Sequence, residues 1–123
     1  MKRLLAILCL VLLSSYSYSQ EVIPEVETVT KDGLVYHQSS TEPFTGIVEW
    51  FHDNHRVGSR KNYIDGELDG LYEYFHENGQ LNVRGNYVDG VPDGLFEDFD
   101  EDGNLTKTET WENGEVVEYN LNP

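Results

Sequence analysis

Asp69 to Gly90, DGLYEYFHENGQLNVRGNYVDG, is the middle copy of a unit that recurs every 24 residues. Gly46, Gly70 and Gly94 form one column of that repeat, and Tyr63, Tyr87 and Trp111 form a second. Gly66, Gly90 and Gly114 form a third, each preceded by Asp or Asn. The inner tips align as Asp53-Asn54-His55-Arg56, Glu77-Asn78-Gly79-Gln80 and Glu101-Asp102-Gly103-Asn104. Self-similarity at a fixed period decides the architecture before any local reading does.

The unit reads as a β-hairpin. Asn-Gly and Asp-Gly accept the positive φ of a tight type I′ turn, and apolar residues alternate on both sides of them. With Asn78-Gly79 as a two-residue turn, Tyr74 faces Val83, Glu73 faces Arg84, Tyr72 faces Gly85 and Gly70 faces Tyr87. The same register sets Glu49 against Arg60 and Gly46 against Tyr63 in the first copy. In the third it sets Asp98 against Lys107 and Gly94 against Trp111. One assumption thus yields an opposite-charge pair and a glycine–aromatic pair three times over. Cross-strand charge pairs each contribute ~0.2–1 kcal/mol, and a ring can cover bare glycine backbone.

Asp65-Gly66, Asp89-Gly90 and Asn113-Gly114 turn the chain back between copies by the same chemistry, which sets Val57 against Tyr74 and Val83 against Phe96. One face then carries Val48, Trp50, Val57, Tyr63, Tyr72, Tyr74, Leu81, Val83, Tyr87, Phe96, Leu105 and Trp111. The other carries Ile47, Phe51, Leu71, Phe75, Leu95 and Phe99 among Asn, Thr, Glu and Arg. The expected fold is all-β: an antiparallel meander of stacked hairpins, an open single-layer sheet of nine or ten strands, after an N-terminal signal helix. No stretch beyond Gln20 has an apolar period of 3.6, so helix is not expected there.

Gly70 to Leu81 with Tyr87 to Gly90, and Gly94 to Leu105 with Trp111 to Gly114, resemble the MORN-repeat variant family, in its YwqK-like group. Gly46 to Val57 departs at its tip, where His55 stands in place of glycine. The resemblance spans roughly residues 29 to 119. It implies a β-repeat scaffold without catalytic residues or cofactor. It also implies contacts with proteins and membrane surfaces, and for some members a bacterial antitoxin label.

Three segments are expected: a signal peptide at 1–19, an N-terminal segment with a β-hairpin at 20–43, and the hairpin-repeat domain at 44–123. Met1-Lys2-Arg3 is basic, Leu4 to Leu13 is apolar, and Ser17-Tyr18-Ser19 offers the small residues of a cleavage site before Gln20. This reading sends the protein to the periplasm or the medium. Cys9 is the only cysteine and would leave with the leader. Gln20 to Glu27 reads as loose, and Val26 to Tyr36 as a hairpin outside the 24-residue register. Loss of Lys2 and Arg3 leaves six basic against 23 acidic residues, a net charge of −17. That charge keeps a chain soluble and argues against nucleic acid and against anionic lipid surfaces as partners. A protein partner remains.

The aromatic columns supply the candidate binding surface: Trp50, Tyr72, Tyr74, Tyr87, Phe96 and Trp111. A single-layer sheet cannot bury both faces, so an aromatic face is left for packing or recognition. Asp98, Asp100, Asp102, Gly103 and Glu109 match the spacing of a calcium loop, D-x-[DN]-x-[DN]-G-x5-E. An EF-hand needs flanking helices, and Pro92 and Asn113-Gly114 interrupt both sides, so the match reduces to a weak calcium site at Asp98, Asp100 and Asp102. His52, His55 and His76 suggest a metal site, but His52 and His76 are repeat equivalents near exposed turns. No nucleophile–base pair stands out, and no enzyme is expected. The function expected is an exported interaction scaffold, with toxin neutralisation as the alternative.

Overall fold

The computed structural model describes residues 20–122; the expected leader lies outside them. Eleven strands follow in order: β1 Val22–Pro24, β2 Thr28–Lys31, β3 Leu34–His37, β4 Gly46–Phe51, β5 Val57–Ile64, β6 Glu67–Phe75, β7 Leu81–Val88, β8 Val91–Pro92, β9 Gly94–Phe99, β10 Leu105–Glu112 and β11 Glu115–Leu121. One 3-10 turn, Glu25–Glu27, joins β1 to β2. Nine strands form one sheet in the order β1-β4-β5-β6-β7-β9-β10-β11, with β8 also on β7, and β2 and β3 form a separate hairpin. From β4 onward the sheet is the expected antiparallel meander.

The register within each hairpin is the expected one. Gly70 pairs with Tyr87, Tyr72 with Gly85, Glu73 with Arg84 and Tyr74 with Val83. Gly46–Tyr63 and Glu49–Arg60 hold in the first copy, and Gly94–Trp111 and Asp98–Lys107 in the third. The turn that sets this register is not the one expected. At the middle tip Gly79 N–H donates to His76 C=O at 2.9 Å, and His76 N–H donates to Gln80 C=O at 2.8 Å. Of Asn78 and Gly79 only the glycine has positive φ, at +88°. This is a three-residue loop closed by a left-handed glycine, not a two-residue type I′ turn. It displaces the ladder by one residue, so Phe75 faces Leu81, and a bulge next to that pair restores the expected register at Tyr74. The other two hairpins have the same irregularity, so Val57, Leu81 and Leu105 stand opposite Phe51, Phe75 and Phe99, not in line with the tyrosines.

The links between copies are the true type I′ turns. Asp65 and Gly66 have φ of +48° and +82°, and Asp89 and Gly90 repeat this at +49° and +80°. The ladder beyond each link is offset by two residues from the expected one. Ser59 faces Tyr74, and Val83 faces Asp98. The slack is taken up where Gly70 sits at φ +103° and Gly94 at +77°, a region that side-chain-bearing residues rarely enter. An offset of two keeps every side chain on its face, so the face assignment survives across the links. The one-residue shift at the tips instead moves Val57, Leu81 and Leu105 from the expected tyrosine face to that of Phe51, Phe75 and Phe99. In the last link Glu118 stands where the glycine would be, and the ladder shifts by one residue.

The N-terminal segment is more ordered than its composition indicates. β1 lies parallel on β4, pairing Val22 with Ile47 and Ile23 with Val48. Ile23, Phe44 and Val48 are buried together, and Tyr63 packs against them. The β2–β3 hairpin is pinned to the first link, with Val35 N–H donating to Gly66 C=O at 3.0 Å and Phe44 N–H to Val35 C=O at 2.8 Å. The compact core therefore sits at the N-terminal end. Phe96 is the one other buried large apolar residue among those described, and the rest of the sheet is a single layer.

Candidate functional site: the aromatic face

Two repeat columns, Val48/Tyr72/Phe96 and Tyr63/Tyr87/Trp111, sit on alternate strands of one face. Their rings meet between strands. Tyr72 lies 5.1 Å from Tyr87 and 6.5 Å from Phe96, Tyr87 lies 5.7 Å from Phe96, and Phe96 lies 6.3 Å from Trp111. Tyr74 joins through Tyr72 at 5.6 Å. Tilted and edge-on rings at 4.5–7 Å attract beyond their area burial. Five of the six proposed residues thus form one continuous cluster. Phe96 is its floor: its ring lies over Gly85, where a Cβ would fall 2.3 Å from it. Tyr72, Tyr74, Tyr87 and Trp111 are half-buried. Trp50 stands apart. It belongs to the column Trp50/Tyr74/Asp98, it is separated from Tyr74 by Ser59, and its ring meets His52 edge-on at 4.8 Å.

Charge borders the cluster. Lys61 Nζ stands 5.7 Å above the ring of Tyr72 and 5.3 Å above that of Tyr74, a cation–π contact that sequence reading missed. The pairing of Lys61 with Tyr72 across β5 and β6 appears only once the two-residue offset is known. On the far side Lys107 bridges Asp98 and Glu109 at 3.2 Å each, and Trp111 Nε1 donates to Glu109 at 3.2 Å. Burial, then the adjacent Tyr74 and Tyr87, push the Tyr72 phenol well above its ordinary 10.0. Burial raises Tyr87 as well, and burial followed by Glu25 raises Tyr63. The face is therefore neutral at its aromatic centre in ordinary buffers, with hydroxyls able to donate and accept.

The hairpin tips stack by a repeated latch. His52 Nε2 donates to Phe75 C=O at 2.8 Å, and His76 Nε2 donates to Phe99 C=O at 2.8 Å. Asn54 Nδ2 donates to Glu77 C=O and Asn78 Nδ2 to Glu101 C=O, both at 2.8 Å. These histidines tie each hairpin to the next. The third tip has Asp100 and Asp102 at the equivalent positions, and ionised carboxylates only accept. Asp100 turns inward on its own loop, accepting from Asp102 N–H at 3.0 Å and Asn104 N–H at 2.9 Å. Those bonds, that of Asn104 first, hold its carboxyl below the ordinary range.

The carboxylates proposed for calcium are thus spread over different tasks. Asp98 binds Lys107, and Asp100 closes its own turn. Among the described residues no group of three or more His, Cys, Asp or Glu gathers in a way that could hold a metal ion. The charge pairs on the opposite face hold in part. Arg60 Nε reaches Glu49 at 3.3 Å, whereas Arg84 turns from its ladder partner Glu73 to Glu97 at 2.8 Å. Ser39, His37 and Glu27 form a hydroxyl–imidazole–carboxylate chain, at 2.7 Å and 3.2 Å. Its Nδ1 also accepts the Ser39 amide N–H at 3.1 Å, so the lone pair that a general base would use already closes the turn.

The model of the MORN repeat variant family matches the chain twice, over residues 68–89 and 92–113. Each match runs from the start of a hairpin to the link that follows it, so the second and third hairpins are MORN repeat variants. No curated protein and no solved structure matches the chain.

Proposed function

We propose, for a chain whose second and third hairpins are MORN repeat variants, that it is a non-catalytic, exported scaffold that binds a protein partner on its aromatic face. The observation that carries this reading is the cluster of Tyr72, Tyr74, Tyr87 and Trp111 over a Phe96 floor, half-exposed on a sheet with no second layer over it among the described residues. Aromatic residues in a rigid array give large contact area at low entropic cost and are enriched where proteins bind. The MORN repeat is a non-enzymatic interaction repeat, which supports the absence of catalysis. A net charge of −15 disfavours nucleic acid and anionic lipid as the partner.

The same charge favours a second reading, in which the partner is a cationic toxin that the protein neutralises. Two experiments test the proposal. Proteins retained by the wild-type chain but lost by the Tyr72→Ala/Tyr74→Ala variant identify the face as the binding surface; equal retention refutes it. The N-terminal residue of protein recovered from the periplasm or medium should be Gln20, and recovery only from cytoplasm with Met1 intact refutes export. Growth rescue when the chain is co-produced with a candidate toxin distinguishes neutralisation from scaffolding.

A further inference from the structure

The two edges of the sheet are finished differently. The β1 edge is three residues long, contains Pro24 and runs at once into a 3-10 turn. Short strands and proline are the usual means of blunting an edge. The β11 edge is seven residues long and every residue in it is exposed. Among the described residues no strand covers its outer side. It contains no proline, lysine or arginine.

Alternation of the ladder fixes which backbone groups face outward. Asn122 N–H donates inward to Thr106 C=O at 2.7 Å, and Asn120 and Glu118 stand opposite Thr108 and Thr110 in the same phase. The N–H and C=O groups of Tyr119 and Leu121 therefore point away from β10. Their side chains are 54% and 68% exposed, on the face that carries Lys107 and Glu109. Glu118 and Asn120 project to the opposite face.

The local charge is of one sign. Residues 105–121 carry Glu109, Glu112, Glu115 and Glu118 against Lys107 alone. Lys107 is already engaged by Asp98 and Glu109. Like charges set side by side across a strand pair destabilise it and opposite charges stabilise it. The edge therefore repels a second copy of this acidic chain and selects a cationic strand.

We propose that β11 is a strand-addition site for an extended protein segment in which Lys or Arg alternates with apolar residues. The backbone of the segment pairs with Tyr119 and Leu121. Its apolar side chains lie beside those two residues, and its cations lie beside Glu118. This deepens the reading of the protein as an interaction scaffold but uses the sheet edge, not the aromatic face.

The probe is a labelled peptide of alternating Lys and Val, about ten residues long to match a long strand, titrated into the full chain by fluorescence anisotropy. It should bind, whereas an alternating Glu–Val peptide and a peptide of equal positive charge with proline in place of valine should not. Tyr119→Pro removes an outward N–H without breaking the β10–β11 ladder. It should lower affinity about tenfold or more, equivalent to about 1.4 kcal/mol, with an unchanged melting temperature. Glu118→Lys, which keeps the edge intact, should weaken the Lys–Val peptide and strengthen the Glu–Val one. The Tyr72→Ala/Tyr74→Ala variant should bind the peptide as wild type does, so loss of the aromatic-face partner and loss of the edge are read separately. Absence of peptide binding, equal binding of the proline peptide, or indifference to Glu118→Lys overturns the proposal.

Discussion

Gly85 and His55 show how single residues are constrained by opposite means. Gly85 has ordinary backbone angles but no room, because an added Cβ would meet the Phe96 ring at 2.3 Å. His55 has the backbone conformation of a glycine, φ +66°, at the tip where the other two copies have Gly79 and Gly103. It closes the same turn, with His55 N–H on His52 C=O at 2.9 Å. Gly85→Ala should therefore displace Phe96 and destabilise the fold by about 1–3 kcal/mol, the usual cost of overpacking. His55→Gly should stabilise it by about 0.5–1 kcal/mol, since relief of a left-handed side chain exceeds the added freedom of the unfolded chain. Denaturant melts of both variants measure the two signs.

At the scale of the hairpin, what was legible in the sequence depended on how much one residue pair can encode. Asp-Gly and Asn-Gly at the links accept φ above zero at both positions, and the structure has type I′ turns there. At the tips Asn78-Gly79 and Asp102-Gly103 are the same kinds of pair, yet each serves a three-residue loop in which glycine alone is left-handed, so the pair by itself does not choose the turn. The register still came out right because a bulge beside Tyr74 compensates the different turn. Across the links nothing in the sequence marked the two-residue slack, which Gly70 and Gly94 absorb through backbone angles. The aromatic site was readable because its columns follow the period. Its boundary was not, since Lys61 comes beside Tyr72 only through that slack. Ile23 was hidden in a polar segment, and only tertiary packing against Val48 makes it core.

The tip latches also belong to this scale. His52 and His76 read as metal candidates by residue type, yet each spends Nε2 on a carbonyl of the next hairpin. His76→Ala should cost about 0.5–1.5 kcal/mol, the net worth of one hydrogen bond. The loss should be felt as faster hydrogen exchange at the second and third tips together, and millimolar zinc should not change the wild-type melting temperature.

The whole molecule is a ribbon anchored at one end. The N-terminal core of Ile23, Phe44 and Val48 fixes the first hairpin, and each later hairpin rests on its predecessor through ladder bonds and latches, the third also through ring contacts of Phe96 with Tyr72 and Tyr87. Such an array has nearest-neighbour stability, with its atypical copy at the end. The third tip fits that role, because Asp100 and Asp102 offer no donor to a following hairpin. Alkaline pH should weaken the array. Tyr72, Tyr87 and Tyr63 have raised phenol pKa values, so the folded sheet retains protons that the unfolded chain loses near 10.0. Their stabilising contribution is complete below that value and is lost as pH rises through the folded-state values. Lys107, raised by its bonds to Asp98 and Glu109, acts in the same direction. Unfolding free energy should be insensitive to these groups at neutral pH and fall above about pH 10, and ultraviolet titration should show tyrosines ionising together with unfolding.

Nuclear Overhauser contacts across the sheet in solution test the stacked-hairpin face most directly. Backbone contacts of Ser59 with Tyr74 and of Val83 with Asp98 should appear together with ring contacts from Tyr87 to Tyr72 and to Phe96. Opposition of Val83 to Phe96, or absence of the ring contacts in a folded chain, would contradict the account.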